Sequence, residues 1–355
     1  MPSILNISAY RFVVLDDADA LRAQIQQHAA ARALKGTVLL AQEGINLFLA
    51  GRPVSVRGFV EWLRGDARFA TLEVKESPSD TVPFGKLLVK VKHEIIRMNH
   101  PAIRPQAERA PAVSPATLSR WLAQGHDDEG REVVTLDTRN AFEVDEGRFH
   151  NAIDWRIDKF SDFPAAALAH RDELRGKTVV SYCTGGIRCE KASAYLKYRG
   201  FHNVYQLEGG IIEYARQVQA EGLENRFIGK NFVFDERLGE RVSPHVIAHC
   251  HQCGVPSDDH TNCLNDYCHI LFIQCPDCKT QYANCCSTEC RDFMALPEAE
   301  RRAMGPSRTF NGSAFAKGVY RAWRRPGLEQ VQTHSPNTSA ITTTNPGSTS
   351  PPLSA

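Results

Sequence analysis

Apolar and polar positions in the first hundred residues repeat with two different periods, which predicts both strands and helices. The stretch ILNISAYRFVVL (4–15) is rich in β-branched residues and predicts a strand. The next stretch places Leu21, Ile25 and Ala29 at helical spacing behind aspartates that suit a helix start. Two short apolar runs, GTVLLAQ and INLFLAG, are joined by a Glu-Gly pair and predict a hairpin.

A second amphipathic helix (54–65) and another strand (71–77) complete this first unit. The order β-α-β-β-α-β is that of a ferredoxin-like fold, so residues 1–100 are predicted to form an α+β domain of this kind. The stretch KLLVKVK at its end alternates, with Leu87, Val89 and Val91 on one face and lysines on the other.

The next two segments are predicted to be a linker and an α/β domain. Residues 101–112 are proline-rich, which is typical of a linker. Beyond them, the apolar runs VVTLDTR, TVVSYC and NVYQLEGG alternate with helical segments over residues 113–220. This alternation predicts a mainly parallel sheet, with ligands bound by the loops that follow the strands.

Cysteine is concentrated near the C-terminal end. Of the 11 cysteines, nine lie between Cys250 and Cys290, and the first 182 residues contain none. A secreted disulfide protein rarely has this distribution, so it indicates metal binding or cysteine chemistry in a reducing compartment. Residues 221–327 are therefore predicted to be a small Cys-rich module with a basic segment. Residues 328–355 are Ser/Thr/Pro-rich and are predicted to be disordered.

The cysteine spacing predicts two metal sites. Two CxxC pairs suit one tetrahedral ion, and four of the remaining cysteines suit a second. The first set is Cys250, Cys253, Cys275 and Cys278, and Cys263, Cys268, Cys286 and Cys290 are the candidates for the second. The pairing within the cluster stays open, with His251, His260 and His269 as further candidate ligands. Structural zinc is the main interpretation, because so short a segment needs a crosslink, such as a bound metal ion, in order to fold. An iron–sulfur cluster uses the same ligands, and a reduced, metal-free cluster is the third alternative.

Charge and hydropathy limit the function classes. The net charge is +1, so any nucleic-acid contact must come from a local basic surface. Such a surface is offered by Lys86, Lys90, Lys92, Arg97 and Arg324, although a solvated strand face explains the lysines equally well. The N-terminus lacks the basic leader and apolar core of a signal peptide. No apolar run approaches the roughly 20 residues of a membrane span, and we expect a cytoplasmic protein.

The sequence YCTGGIRC (182–189) carries the main candidate chemistry. Cys183 ends an apolar strand pattern, and Thr184, Gly185, Gly186 and Ile187 lead into a helix. Glycines let backbone N–H groups converge on one point, and the helix adds the positive end of its dipole. Arg188 adds a fixed positive charge at the rim. The expected result is a Cys183 thiol of lowered pKa beside an anion-binding loop, whereas an inert buried cysteine would need none of these features.

The motifs around Cys183 resemble those of a rhodanese domain. The resemblance covers residues 113–220 and rests on DTRNAFEVDEGRFHNAIDWRI, VVSYCTGGIRCEKAS and LEGGIIEY. It implies that Cys183 carries the reaction, and it places Asp137 at the family's acidic position. The loop is one residue shorter than in related cysteine phosphatases, which favours sulfur chemistry over phosphate ester hydrolysis. Cys189 is not part of the simple rhodanese pattern, and it is interpreted either as core packing or as a resolving thiol.

The order of the segments across residues 1–325 resembles the bacterial rhodanese-domain tRNA uridine 5-hydroxylases. The resemblance implies hydroxylation of the wobble uridine of tRNA with molecular oxygen as co-substrate. No dinucleotide fingerprint or iron-binding triad identifies a redox cofactor, and the sequence predicts no oligomeric state.

Two functions of other classes remain open from the sequence. One is a sulfurtransferase that carries a persulfide on Cys183. The other is a non-catalytic RNA-binding scaffold, against which the intact loop from Cys183 to Arg188 argues.

Overall fold

The computed structural model describes residues 3–107 and 109–310. Its N-terminal domain is a five-stranded sheet with two helices on one face. Leu21, Ile25 and Ala29 are buried between the first helix and the sheet, as their spacing predicts. The elements are β1 (Ile4–Phe12), α1 (Ala18–Ala31), β2 (Lys35–Ala41), β3 (Gly44–Gly51), α2 (Pro53–Arg64), β4 (Val74–Ser79) and β5 (Leu87–Val91).

The strand order in this sheet is β4-β1-β3-β2-β5. The predicted hairpin is present, with Ala41 opposite Gly44 in an antiparallel ladder. The ferredoxin-like order is confirmed and is extended by β5, which runs parallel to β2. Leu87 and Val89 pack on the core as expected. Val91 ends this edge strand and is 36% exposed.

The predicted linker packs against the second domain. Ile103 is buried in the same core cluster as Leu136 and Val179, which belong to the second sheet. Ala112, the last residue of the predicted linker, begins a strand of that sheet. The segment that joins the two domains is therefore packed, because its apolar residues are buried against the second domain.

The second domain is built on a four-stranded parallel sheet in the order β6-β10-β9-β7. The parallel α/β architecture expected from the alternating pattern is confirmed. Two apolar clusters fill the two faces of the sheet, beneath the surrounding helices. The elements are β6 (Ala112–Val113), α3 (Pro115–Gln124), β7 (Val133–Asp137), α4 (Ala141–Glu146), β8 (Gly147–Phe149), α5 (Phe163–Ala169), β9 (Thr178–Tyr182), α6 (Ile187–Tyr198), β10 (Val204–Leu207) and α7 (Gly210–Glu221).

The C-terminal module is anchored to the second domain by its first strand. This strand pairs antiparallel with β8, and Phe227 lies opposite Phe149. The cysteines form two small buried clusters among short elements. These elements are β11 (Phe227–Asn231), β12 (Glu240–Arg241), β13 (His260–Asn262), β14 (Leu271–Ile273), α8 (Pro276–Gln281), α9 (Thr288–Met294) and α10 (Glu298–Met304). Among the described residues, none of the helices has the length and apolarity needed to cross a bilayer.

Candidate active site and metal centres

The turn between β9 and α6 aims backbone donors at the sulfur of Cys183. The strand ends at Tyr182, and the helix begins at Ile187. Gly186 caps the helix with φ of 99°, a conformation that favours glycine, and its N–H donates to Cys183 Sγ at 3.1 Å. A Cβ at this position would lie 2.9 Å from the Tyr10 hydroxyl. A side chain at this position would therefore also displace the Tyr10 hydroxyl.

The surroundings of Cys183 stabilise its thiolate. Burial alone would raise the pKa of this thiol. The hydrogen bond from Cys189, the charge of Arg188 and the backbone N–H groups of Arg188 and Gly186 outweigh burial and lower the pKa to about 5. Cys183 is therefore a thiolate at neutral pH, which is the reactive form of cysteine.

Cys189 is the side-chain hydrogen-bond partner of that thiolate. It is fully buried in the first turn of α6, and its sulfur lies 3.7 Å from Thr138 Oγ1. Burial and the neighbouring Cys183 thiolate raise the pKa of Cys189 well above its ordinary value. Cys189 therefore keeps its proton, packs in the core and still contacts the reactive sulfur.

Arg188 is held by a carboxylate that the sequence analysis missed. Its guanidinium forms a two-pronged ion pair with Glu143, with N···O distances of 2.5 and 2.7 Å. The Arg188 side chain is only 6% exposed, so its charge is buried beside Glu143. Glu143 lies in α4 and also accepts the backbone N–H of Asn140. The Asn-x-x-Glu spacing of a capping box was the available signal for it.

Asp137 lies at the end of β7, as expected, but its carboxylate is engaged with Arg139. The two side chains form a fully buried ion pair, with N···O distances of 2.9 and 2.6 Å. Arg139 also donates to the carbonyl oxygen of Gly147 at 2.6 Å. Neither side chain lines the cavity described next. The pair thus holds the chain leaving β7 rather than facing a substrate.

A cavity of about 860 Å³ lies between the Cys183 loop and the N-terminal domain. Its volume is within the range of roughly 300–1,000 Å³ that is common for small-molecule sites. The loop side is formed by Cys183, Thr184, Gly185, Ile187 and Arg188. The opposite side is formed by the helix-free face of the N-terminal sheet, with Ser8, Tyr10, Thr37, Leu39, Asn46, Phe48 and Lys75. The reactive sulfur therefore faces a chamber that two domains build together.

Polar contacts hold the two walls of this cavity together. Lys75 Nζ donates to the Gly185 carbonyl oxygen at 3.0 Å, and burial lowers the pKa of this lysine. The Tyr10 hydroxyl donates to Glu190 at 3.2 Å. Lys191 in α6 forms ion pairs with Glu43 and Glu94 at 2.8 and 2.6 Å. These pairs span long sequence separations, so the patterns along the chain could not reveal them.

The predicted RNA-binding residues fall into two groups. Lys92 and Arg97 line the cavity, together with Lys159, which the sequence analysis did not single out. Lys86 and Lys90 are exposed near the edge strand β5. Arg324 lies outside the described residues. A positive path therefore runs from the edge of the N-terminal sheet into the cavity.

The eight predicted metal ligands form the two expected groups of four. Cys250, Cys253, Cys275 and Cys278 make one group, and Cys263, Cys268, Cys286 and Cys290 make the other. Within each group, the ligand atoms lie within 4.8 Å of one another. Seven of the eight cysteines are buried, the exception being Cys253. Cys285 lies outside both groups.

The sulfur spacing matches a tetrahedral thiolate site. A metal–sulfur distance of about 2.3 Å places the corners of a tetrahedron about 3.8 Å apart. The S···S distances are 3.6 Å for Cys253–Cys275 and 3.7 Å for Cys268–Cys286 and Cys286–Cys290. Both groups therefore bring their sulfurs close enough together to hold a metal ion.

Comparisons with known proteins agree with this architecture. Residues 4–95 match the UPF0176 acylphosphatase like domain, residues 115–217 match the rhodanese-like domain, and residues 228–291 match the rhodanase C-terminal model.

Curated relatives align over most of their own length. The chain is 62% identical over 238 residues to a tRNA uridine(34) hydroxylase of Bordetella petrii, covering 67% of this chain and 93% of the relative. Proteins of the same name from Delftia acidovorans and Ralstonia nicotianae are 63% and 51% identical, covering 67% and 79% of this chain and 89% and 98% of the relatives. The chain therefore belongs to the tRNA uridine(34) hydroxylase family.

Proposed function

We propose that this protein hydroxylates C5 of the wobble uridine, residue 34 of tRNA, at the Cys183 loop. The observation that carries the proposal is the cavity itself, in which a buried cysteine of pKa about 5 faces a chamber of nucleotide size. A base must leave its stack to react at such a depth, and an anticodon base is already in a single-stranded loop. The family membership supplies the substrate and the reaction.

The basic residues have a separate part in this proposal. Lys92, Arg97 and Lys159 line the cavity, where they can neutralise the phosphates that flank a flipped nucleotide. Lys86 and Lys90 extend the contact along the edge strand. These contacts position the tRNA but do not distinguish its bases. Selectivity for uridine must therefore come from the cavity.

Molecular oxygen is the co-substrate in this proposal. One oxygen atom is inserted into the C5–H bond to give the hydroxyl group, and the other leaves as water after taking up two electrons and two protons from an external reductant. Cys183 and Cys189 are the redox-capable side chains that contact each other at the site. Feeding ¹⁸O₂ to cells that depend on this protein is expected to label the hydroxyl oxygen of nucleoside 34. Label arriving from H₂¹⁸O instead would refute the oxygen-dependent reaction.

We further propose that the two cysteine groups each hold a structural zinc ion. Four thiolates with no open position are typical of structural rather than catalytic zinc. Metal analysis of the purified protein is expected to give two zinc ions per chain. Iron in these sites would instead support the cluster alternative.

A sulfurtransferase is the second candidate, and the match of residues 115–217 to the rhodanese-like domain favours it. In that case Cys183 would carry sulfur as a persulfide. Transfer of sulfur from thiosulfate to cyanide at a high rate, in a protein that leaves uridine 34 unmodified, would select this candidate. The cytoplasm, where mature tRNA acts, is the compartment that we propose for the hydroxylase.

A further inference from the structure

Phe48 stands on the sheet face that lines the cavity, in the middle of the N-terminal sheet. Its neighbours across the ladders are the small residues Ser8 on β1 and Thr37 on β2. Both also line the cavity, and both are too short to cover an aromatic ring beside them. The ring of Phe48 is therefore only half-buried, although its backbone is fixed by two strands.

Phe234 faces the same cavity from the segment that follows β11. Its ring centroid lies 6.4 Å from that of Phe48 and 5.2 Å from that of Phe232. The guanidinium of Arg188 lies 5.8 Å from the centroid of the Phe234 ring. Phe234 is 46% exposed, which is unusual for a phenylalanine placed among other aromatic rings beside a cavity. The ring thus presents apolar surface next to the reactive loop.

We propose that Phe48 and Phe234 form the subsite that stacks the uracil base of the nucleotide to be modified. The inference rests on the proposed function and adds the residues that recognise the base. Sheet-borne aromatic rings bind unstacked RNA bases in this way in other folds, because every base has a π-face. Both residues share the cavity with Cys183, so a base stacked on these rings is held in the cavity that the reactive sulfur lines.

The charges around the two rings favour a nucleotide over an apolar ligand. Lys92, Arg97 and Lys159 share the cavity with them and can neutralise phosphates. A purely apolar ligand would leave these cations without a role. In a bound nucleotide, the base can stack on the rings while the phosphates contact the cations.

The test compares the binding of two anticodon stem-loop RNAs by fluorescence anisotropy. One carries uridine at position 34 and the other an abasic site there. Because stacking of a base is typically worth 1–3 kcal/mol, the wild type is expected to bind the uridine RNA roughly 5- to 150-fold more tightly. Phe48→Leu and Phe234→Leu are expected to reduce this ratio towards one, while Phe48→Trp and Phe234→Tyr retain it.

The ratio of the two affinities is measured on a single sample of each variant. A misfolded fraction of the protein therefore affects both affinities equally and does not change their ratio. Because Phe234 is 46% exposed, Phe234→Leu is not expected to disturb folding. Tyr198→Leu is the matched control, since Tyr198 is an exposed aromatic residue that does not line the cavity. Its ratio is expected to equal that of the wild type.

Two results would overturn the subsite. One is equal binding of both RNAs by the wild type, and the other is an unchanged ratio in both leucine variants. In either case, continued hydroxylation of uridine 34 would show that the proposed function stands without this subsite. Loss of the subsite and of the function are therefore distinguishable.

Discussion

Replacing Glu143 by glutamine tests whether the buried pair with Arg188 organises the Cys183 loop. The side chains of Glu143 and Arg188 are 0% and 6% exposed. The carboxylate also accepts the N–H of Asn140 at 3.1 Å. An amide in its place would turn one N–H₂ group towards these donors and leave the guanidinium charge uncompensated.

The expected loss of stability is large. Removing one partner of a buried ion pair costs about 3–5 kcal/mol, because the other charge stays buried without compensation. For a domain of about 100 residues, the size of residues 113–220, each kcal/mol lowers the melting temperature by about 4–8 °C, which gives a fall of about 12–40 °C. Thermal unfolding followed by circular dichroism measures this directly.

Two further variants make the result specific to the buried charge. Asp172→Asn breaks the exposed pair with Arg175 in the same domain and is expected to leave the melting temperature unchanged within error. The double variant Glu143→Gln, Arg188→Met removes both charges and is expected to recover much of the stability. The reasoning is refuted if Glu143→Gln melts with the wild type, or if the double variant is no more stable than Glu143→Gln.

Three other outcomes are expected. The pKa of Cys183 is about 5, so its alkylation rate should change little between pH 6.5 and 8 and should fall as the pH drops through 5. Peptide mass spectrometry measures this rate, and a rate that rises up to pH 8 would contradict the expectation. Cys268→Ser should release one zinc ion per chain in metal analysis, whereas Cys285→Ser should retain two, and equal contents would contradict the grouping. Lys92→Gln should weaken tRNA binding and reduce the slope of log affinity against log salt by about one, and an unchanged slope would exclude a phosphate contact.

The features that depend on short sequence patterns could be predicted from the sequence. The parallel sheet followed from alternating apolar runs and helices, and the turn after Cys183 followed from its two glycines. The first metal group followed from its two CxxC pairs, because a CxxC turn constrains two sulfurs at once, whereas spacing left the pairing of the other cysteines open. The apolar runs, the glycine turn and the CxxC pairs are each set by residues that are near one another in the chain.

The missed features depend on contacts between distant segments. Glu143 pairs with a residue 45 positions away, and Lys75 reaches a carbonyl oxygen 110 positions away. The placement of the N-terminal sheet over the Cys183 loop is a tertiary property that no periodicity encodes. The exposure of Val91 follows from its place at the end of an edge strand, which alternation along one strand cannot show.

The most direct test of the account is the 5-hydroxyuridine content at position 34 of tRNA from cells that carry Cys183→Ser in place of the wild-type protein. The serine variant keeps the size of the side chain but cannot form a thiolate of low pKa. We predict that nucleoside mass spectrometry finds the modification with the wild type and none with the variant, provided no other enzyme supplies it. An undiminished content with the serine variant would contradict the assignment of the reaction to Cys183.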